Sequence, residues 1–163
     1  MTQAQTEHNP NPVALAAELR PLLERNAVRA ERDRRLPDEN IAALEAANLF
    51  KVMVPRRWGG FGAPLPTTLS TFAELAKGCP SSGWVTMILG GVTYYASLLP
   101  DRGQEEIFVN PAASRVCGSG APTSIGRRVD GGWRISGKFP FASGSLHSSW
   151  ASLWVQMRTT LTT

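Results

Sequence analysis

The residues able to do chemistry gather in one stretch, Gly131-Gly-Trp-Arg-Ile-Ser-Gly-Lys-Phe-Pro-Phe-Ala-Ser-Gly-Ser-Leu-His-Ser-Ser-Trp150. The pattern reads as a hairpin strand, a Gly/Ser-rich turn and the start of a further strand. A segment of that shape can press backbone and one hydroxyl against a flat ligand. A hydroxyl suits such a place because it both donates and accepts a hydrogen bond. His147 follows the turn and is one of two histidines; the other, His8, lies in a polar leader. A lone histidine is more often structural than catalytic, and only its place beside the turn raises the functional reading. The chain has no zinc pattern, phosphate loop, dinucleotide fingerprint or Gly-x-Ser-x-Gly elbow, so no metal site is expected.

The elements that must position this stretch are legible as patterns. Val13, Ala16, Ala17, Leu19, Leu22 and Leu23 form a helical apolar stripe within 13–35, which Pro21 should kink or restart. Pro37 opens a second helix, with Asp38 and Glu39 in its first turn and Ile41, Leu44 and Leu49 on its buried side; Asn48 marks its stop. Residues 55–66 read as a Gly/Pro loop. Helices are then expected over about 67–77, 83–99 and 101–109. After Pro111 the pattern turns extended, with strands over 114–120, 125–129, 133–139 and 150–157 and a hairpin turn at Asp130-Gly131-Gly132. The expected organisation is a disordered leader (1–11), an N-terminal helical domain (12–111) and a partial middle β domain (112–163). Such a β part would have an unpaired edge and an uncovered face, which predicts the N-terminal portion of a larger protein.

Composition narrows the class. The 163 residues carry 42% hydrophobic and 18% charged residues, enough apolar content for a packed core. The apolar run Trp84 to Leu99 is too short and too interrupted to span a membrane and reads as a buried helix. Cys79 and Cys117 have neither metal-like nor disulfide-like spacing, so a reduced, cytoplasmic protein is expected. The net charge of +4 owes much to Arg29, Arg32, Arg34 and Arg35. No nucleic-acid motif accompanies them, and a solvated helix face partly balanced by Glu24, Glu31 and Asp33 is the expectation.

Several separated blocks resemble one family in order and spacing: Arg35-Leu-Pro-Asp-Glu39, Pro55-x-x-Trp-Gly-Gly60, Gly83-Trp-Val85, Gln104-Glu-Glu106, Ala121-Pro122, Asp130-Gly-Gly132 and Ser143-Gly-x-x-His-x-x-Trp150. From about Leu22 to Trp154 the chain resembles the acyl-CoA dehydrogenase superfamily. Within it the likeness is to the oxygenase components of two-component flavin-dependent aromatic and seco-steroid hydroxylases. The resemblance implies an α+β fold: an all-α N-terminal domain, then the start of an antiparallel β-barrel-like domain. The family's C-terminal four-helix bundle is absent from these residues.

The resemblance also implies a cofactor, reduced FMN or FAD. Gly118, Ser119, Gly120, Ala121 and Pro122 match a strand end whose backbone lines the flavin ring. Phe141, Ala142 and Ser143 match its next wall, with the Ser143 hydroxyl near the reactive ring nitrogen as the catalytic candidate. Trp84 matches a tryptophan near the flavin and substrate. Purely structural readings stand beside these: Trp84 as core, Gly118 and Gly120 as a bulge, and Ser143-Gly144-Ser145 as an ordinary turn. The implied reaction uses O₂ and a C4a-hydroperoxyflavin to hydroxylate an aromatic or related small organic substrate. A separate reductase supplies the flavin, and the full-length protein is a homo-oligomer. Where aromatic hydroxylases commonly carry a histidine on the fourth helix, this chain has Val92, with Tyr94 and Tyr95 nearby. Two other readings remain open: an acyl-CoA dehydrogenase-like flavoprotein that oxidises an acyl thioester, and a non-catalytic truncated remnant.

Overall fold

Asn11 starts the ordered architecture: its Oδ1 accepts from the Val13 amide at 3.0 Å and caps helix α1, Pro12–Arg32. The computed structural model describes residues 10–158, so the leader's first nine residues, His8 among them, and the tail beyond Arg158 lie outside the described residues. Asn11, expected in the leader, is thus a working cap. Pro21 does not restart α1, contrary to the sequence expectation. Proline forfeits one backbone bond, but Pro21 faces solvent while Ala16, Leu23, Asn26 and Ala30 stay buried along one side. Next to it, Arg20 reaches Glu74 of the third helix at 2.9 Å.

Helix α2 spans Asp38–Ala46 behind Pro37 and gives way at Asn48, which takes the left-handed conformation (φ 58°) before a 3-10 turn at Leu49–Lys51. Helices α3 (Leu65–Gly78) and α4 (Pro80–Ala96) both begin earlier than their apolar patterns suggest. Pro66 and Pro80 sit in their first turns, where a proline's set φ is already helical and its missing N–H has no partner to lose. Helix α5 covers Asp101–Phe108. A polar tie runs through the core. Fully buried Asn40 accepts from Asn26 Nδ2 at 2.7 Å and donates to Ser82 Oγ at 3.3 Å, joining α1, α2 and α4. Such a buried amide is tolerable because both ends of it are bonded.

Five short strands follow: β1 (Val116–Ser119), β2 (Ile125–Val129), β3 (Gly132–Ser136), β4 (Trp150–Leu153) and β5 (Gln156–Arg158). The Asp130-Gly131-Gly132 turn makes the expected antiparallel hairpin of β2 and β3. The strand expected over 150–157 divides at Trp154-Val155: β4 pairs with β1 and β5 with β2, both in parallel. The partner of Val116 is Trp150, whereas that of Ile125 is Gln156. The β1–β2 link, residues 120–124, is therefore three residues longer than the β4–β5 link and must loop out of the sheet. Trp154 N donates to Ser119 O at 3.0 Å and Gln156 N to Ser124 O at 2.9 Å, closing the loop's base.

A buried bond joins α4 to the first strand: Thr93 Oγ1 accepts from the buried Val116 amide at 3.1 Å. Thr93→Val keeps the shape but orphans that N–H. It is expected to cost about 1–3 kcal/mol, seen as a lower urea midpoint with an unchanged slope.

Candidate cofactor and active site

Trp84 emerges on the outer face of α4, 55% exposed, and its indole Nε1 donates to Ser143 Oγ at 3.1 Å. Two residues 59 positions apart, each singled out as a candidate, are thus in contact. Because Ser143 Oγ accepts this bond, its own hydrogen is left to donate elsewhere. The pair borders a cleft of about 640 Å³, walled also by Arg34, Arg35, Leu36 and Val85. That volume is in the range of small-molecule sites. Arg35 is paired with Asp38 at 2.8 Å, and Glu31 stands in the same wall, so the cleft carries charge of both signs. Arg29 and Arg32 are likewise paired, with Asp33.

The looped-out 120–124 link does not line this cleft. Gly120 and Pro122 are exposed and Ala121 is half-buried. Hydroxyls tie the link to the segment that precedes Phe141. Ser119 Oγ donates to Pro140 O at 2.6 Å, and Thr123 Oγ1 and Ser124 Oγ both reach Lys138 O, at 2.8 and 3.3 Å. The Ser119 hydroxyl is therefore engaged within the protein, and what 118–122 offers a ligand is backbone. Phe141 stands 88% exposed at φ 59°, beyond the tie at Pro140, and Ala142 lines a smaller cavity of about 210 Å³ with Ser143 and His147.

Gly118 lies over Val92: a Cβ there would come within 3.0 Å of Val92 Cγ2. Val92 thus abuts β1. Val92 and Tyr95 share a second cavity of about 310 Å³ with Val116 and Trp150, on the strand side of α4; Tyr94 does not line it.

Four contributors were not singled out from sequence as site residues. Gly144 adopts φ 80°, a left-handed conformation that suits glycine, and a Cβ there would sit 2.7 Å from Cδ2 of the fully buried Leu89. Arg34 and Arg35 of the cleft wall were quoted only as charge and as part of a block. Arg115 gave no signal at all; its Nε donates to His147 O at 2.6 Å. His147 itself is half-buried, and its Nε2 is enclosed without a hydrogen-bond partner. Burial, then the charge of Arg35, holds its imidazole below the ordinary value, with Asp38 acting in the opposite sense and Arg115 in the same. No group of three or more potential metal ligands occurs among the described residues. No helix there is long and apolar enough to cross a membrane.

Comparison with known proteins agrees with this geometry. Residues 14–114 match the family described as acyl-CoA dehydrogenase, N-terminal domain. The chain belongs to that family. It is 35% identical over 135 residues to the oxygenase subunit HsaA of a flavin-dependent monooxygenase from Rhodococcus jostii, a match covering 83% of this chain and 35% of that protein. The crystal structure of 3-HSA hydroxylase from Rhodococcus sp. RHA1 superposes with a TM-score of 0.86 at 30% identity, covering 93% of this chain and 39% of that one. XiaF from Streptomyces, solved in complex with FADH2 and glycerol, gives a TM-score of 0.84 at 28% identity over 90% of this chain and 37% of its own. The chain thus spans between a third and two fifths of the length of these relatives.

Two outcomes follow from the site. Gly144→Ala should destabilise the chain by about 2–4 kcal/mol, combining the left-handed penalty with overpacking against Leu89, measurable by urea unfolding. For His147, the unfolded chain binds the proton more tightly than the folded one. Stability should therefore fall as pH drops from about 7.5 to about 5.5, and His147→Asn should flatten that part of the profile.

Proposed function

We propose that this chain forms the N-terminal helical and strand-bearing part of a reduced-flavin-dependent monooxygenase that hydroxylates an aromatic or related small organic substrate with O₂. The observation that carries the reading is the Trp84–Ser143 contact at the edge of the 640 Å³ cleft, in a chain at least 30% identical to a monooxygenase oxygenase subunit over most of its length. The FADH2 in the XiaF structure supports reduced flavin as the cofactor.

The residues present suit a flat ring with polar edges. On this reading the backbone from Gly118 to Pro122 would face one side of the ring and Phe141, Ala142 and Ser143 the next, with Trp84 beside them. Reduced FMN or FAD bound there supplies the electrons and activates O₂ for transfer of one oxygen atom. The protein's part is to hold and shield. Ser143 Oγ, steadied by the Trp84 indole, donates its free hydrogen to the ring edge. The hydroxyl ties to Lys138 and Pro140 keep these two segments at a set separation and limit water between them. Val92 provides no proton acceptor at the Gly118 contact. Tyr95 and Ser152 bear the hydroxyls among the residues that line its cavity, and Tyr95 is the candidate to meet a substrate's polar group.

The reading carries further assignments: a separate reductase as the source of reduced flavin, a small-molecule substrate, a cytoplasmic location and homo-oligomerisation of the whole protein. The match to the acyl-CoA dehydrogenase domain favours a second reading, a flavoprotein that oxidises an acyl thioester. That version binds oxidised FAD tightly and is reduced by the thioester.

Anaerobic titration of the chain with reduced FMN or FAD, followed by oxygen, separates the readings. Saturable binding of reduced flavin is expected, weakened by about 3–10-fold in Ser143→Ala through loss of one hydrogen bond. A folded chain that binds neither reduced flavin assigns part of the flavin site to the family's C-terminal bundle; absence of flavin-dependent oxygen uptake with that bundle supplied overturns the proposal.

A further inference from the structure

We infer that Arg115, held between Glu45 and the main-chain oxygen of His147, is the positioning residue that sets where Ser143 stands against Trp84. The segment from 143 to 149 keeps its shape by local bonds, Ser145 N to Ala142 O at 3.1 Å, His147 N to Gly144 O at 2.9 Å and Ser148 Oγ to Gly144 O at 2.9 Å, so its placement as a unit depends on contacts outside it. Its regular structure is a single 3-10 turn, Ser145–His147, and Ser145 and Leu146 are exposed. Two contacts anchor it from outside. Gly144 rests on Leu89, which limits how near the turn can come to α4. Arg115 holds the other end.

Arg115 does so in three ways at once. Its Nε donates to His147 O at 2.6 Å. Its backbone oxygen accepts from Ser149 N at 3.1 Å and Trp150 N at 3.2 Å. Its Nη1 forms an ion pair with Glu45, which is fixed on α2, while the guanidinium carbon lies 5.9 Å from the centre of the Phe50 ring. Through this one side chain α2 is linked to the far end of the turn, while Trp84 and Leu89 of α4 meet its near end. The planar fork addresses the carboxylate and the carbonyl from two nitrogens at a fixed spacing, whereas a lysine presents its donors from one nitrogen, too compact to span both partners. Half-buried, the pair is poorly replaced by water, so losing one member leaves the other unmatched.

That the positioned hydroxyl serves a flavin rests on the reading above, but the test needs no flavin and stands or falls separately. The Trp84 indole N–H resonance reports its bond to Ser143 Oγ, with Trp84→Phe assigning the signal and Ser143→Ala marking its position without the acceptor. Arg115→Gln is expected to move the signal most of the way to the Ser143→Ala position while the far-ultraviolet spectrum stays unchanged. Arg115→Lys is expected to do the same, because charge without the fork does not suffice. Should Arg115→Gln fail to fold, Glu45→Gln asks the same question, with a smaller displacement in the same direction. The inference is overturned if the signal stays at the parent position in Arg115→Gln or Glu45→Gln, if Arg115→Lys restores it, or if Ser143→Ala itself leaves it unmoved.

Discussion

The structure depends on the seam where α4 meets the strands. At three successive levels of that helix a side chain determines how near the extended chain can lie. Leu89 meets Gly144, Val92 meets Gly118, and Thr93 accepts from Val116 N. Glycine at two of those levels allows an approach that a Cβ would prevent, and the hydroxyl at the third satisfies an amide that would otherwise be buried unpaired. Trp84, five residues before Leu89, then meets Ser143 at the edge of the seam. The candidate site is in this sense a consequence of helix–strand packing: it opens where the close contact ends.

A second constraint comes from register. Parallel pairing of β4 with β1 and β5 with β2 leaves the 120–124 link longer than its partner, and the surplus has to leave the sheet. Surface loops with unpaired backbone are disordered unless tied down. This one is tied from both sides, by the ladder bonds at Ser119 and Ser124 and by hydroxyl bonds to Lys138 and Pro140. The result is exposed backbone in a held position, which is what recognition of a flat polar ring edge requires.

Charge around the site is arranged so that burial and pairing oppose each other. Burial pushes the Arg115 guanidinium and the His147 imidazole toward their neutral forms. Arg115 is paired with Glu45; for His147 the nearby Arg35 and Arg115 add to the effect of burial and Asp38 opposes it. An uncharged imidazole beside two arginines is the consistent outcome, and it makes His147 a packing and main-chain element of the turn.

Much was legible from sequence because local rules suffice for it. Apolar periodicity located the five helices, Asn48 and the Asp130-Gly131-Gly132 turn marked changes of direction, and the spaced blocks identified the family. The misjudged boundaries were also local: prolines in first turns extended α3 and α4 backward, and a solvent-facing Pro21 was absorbed by a long helix whose other side is well packed. What sequence could not supply is whatever depends on two distant segments meeting. The division of 150–157 into two strands follows from the surplus residues in a partner 30 positions away. The engagement of the Ser119 hydroxyl with Pro140, the contact of Val92 with Gly118, and the part played by Arg115 have no periodic or compositional trace. The sequence by itself determined the elements and the chemistry available at Ser143 and Trp84, since these are properties of residue types and near neighbours. Only the tertiary structure decided which groups are free to face a ligand, because hydrogen-bond partners and close approach are set by packing between segments far apart in the chain.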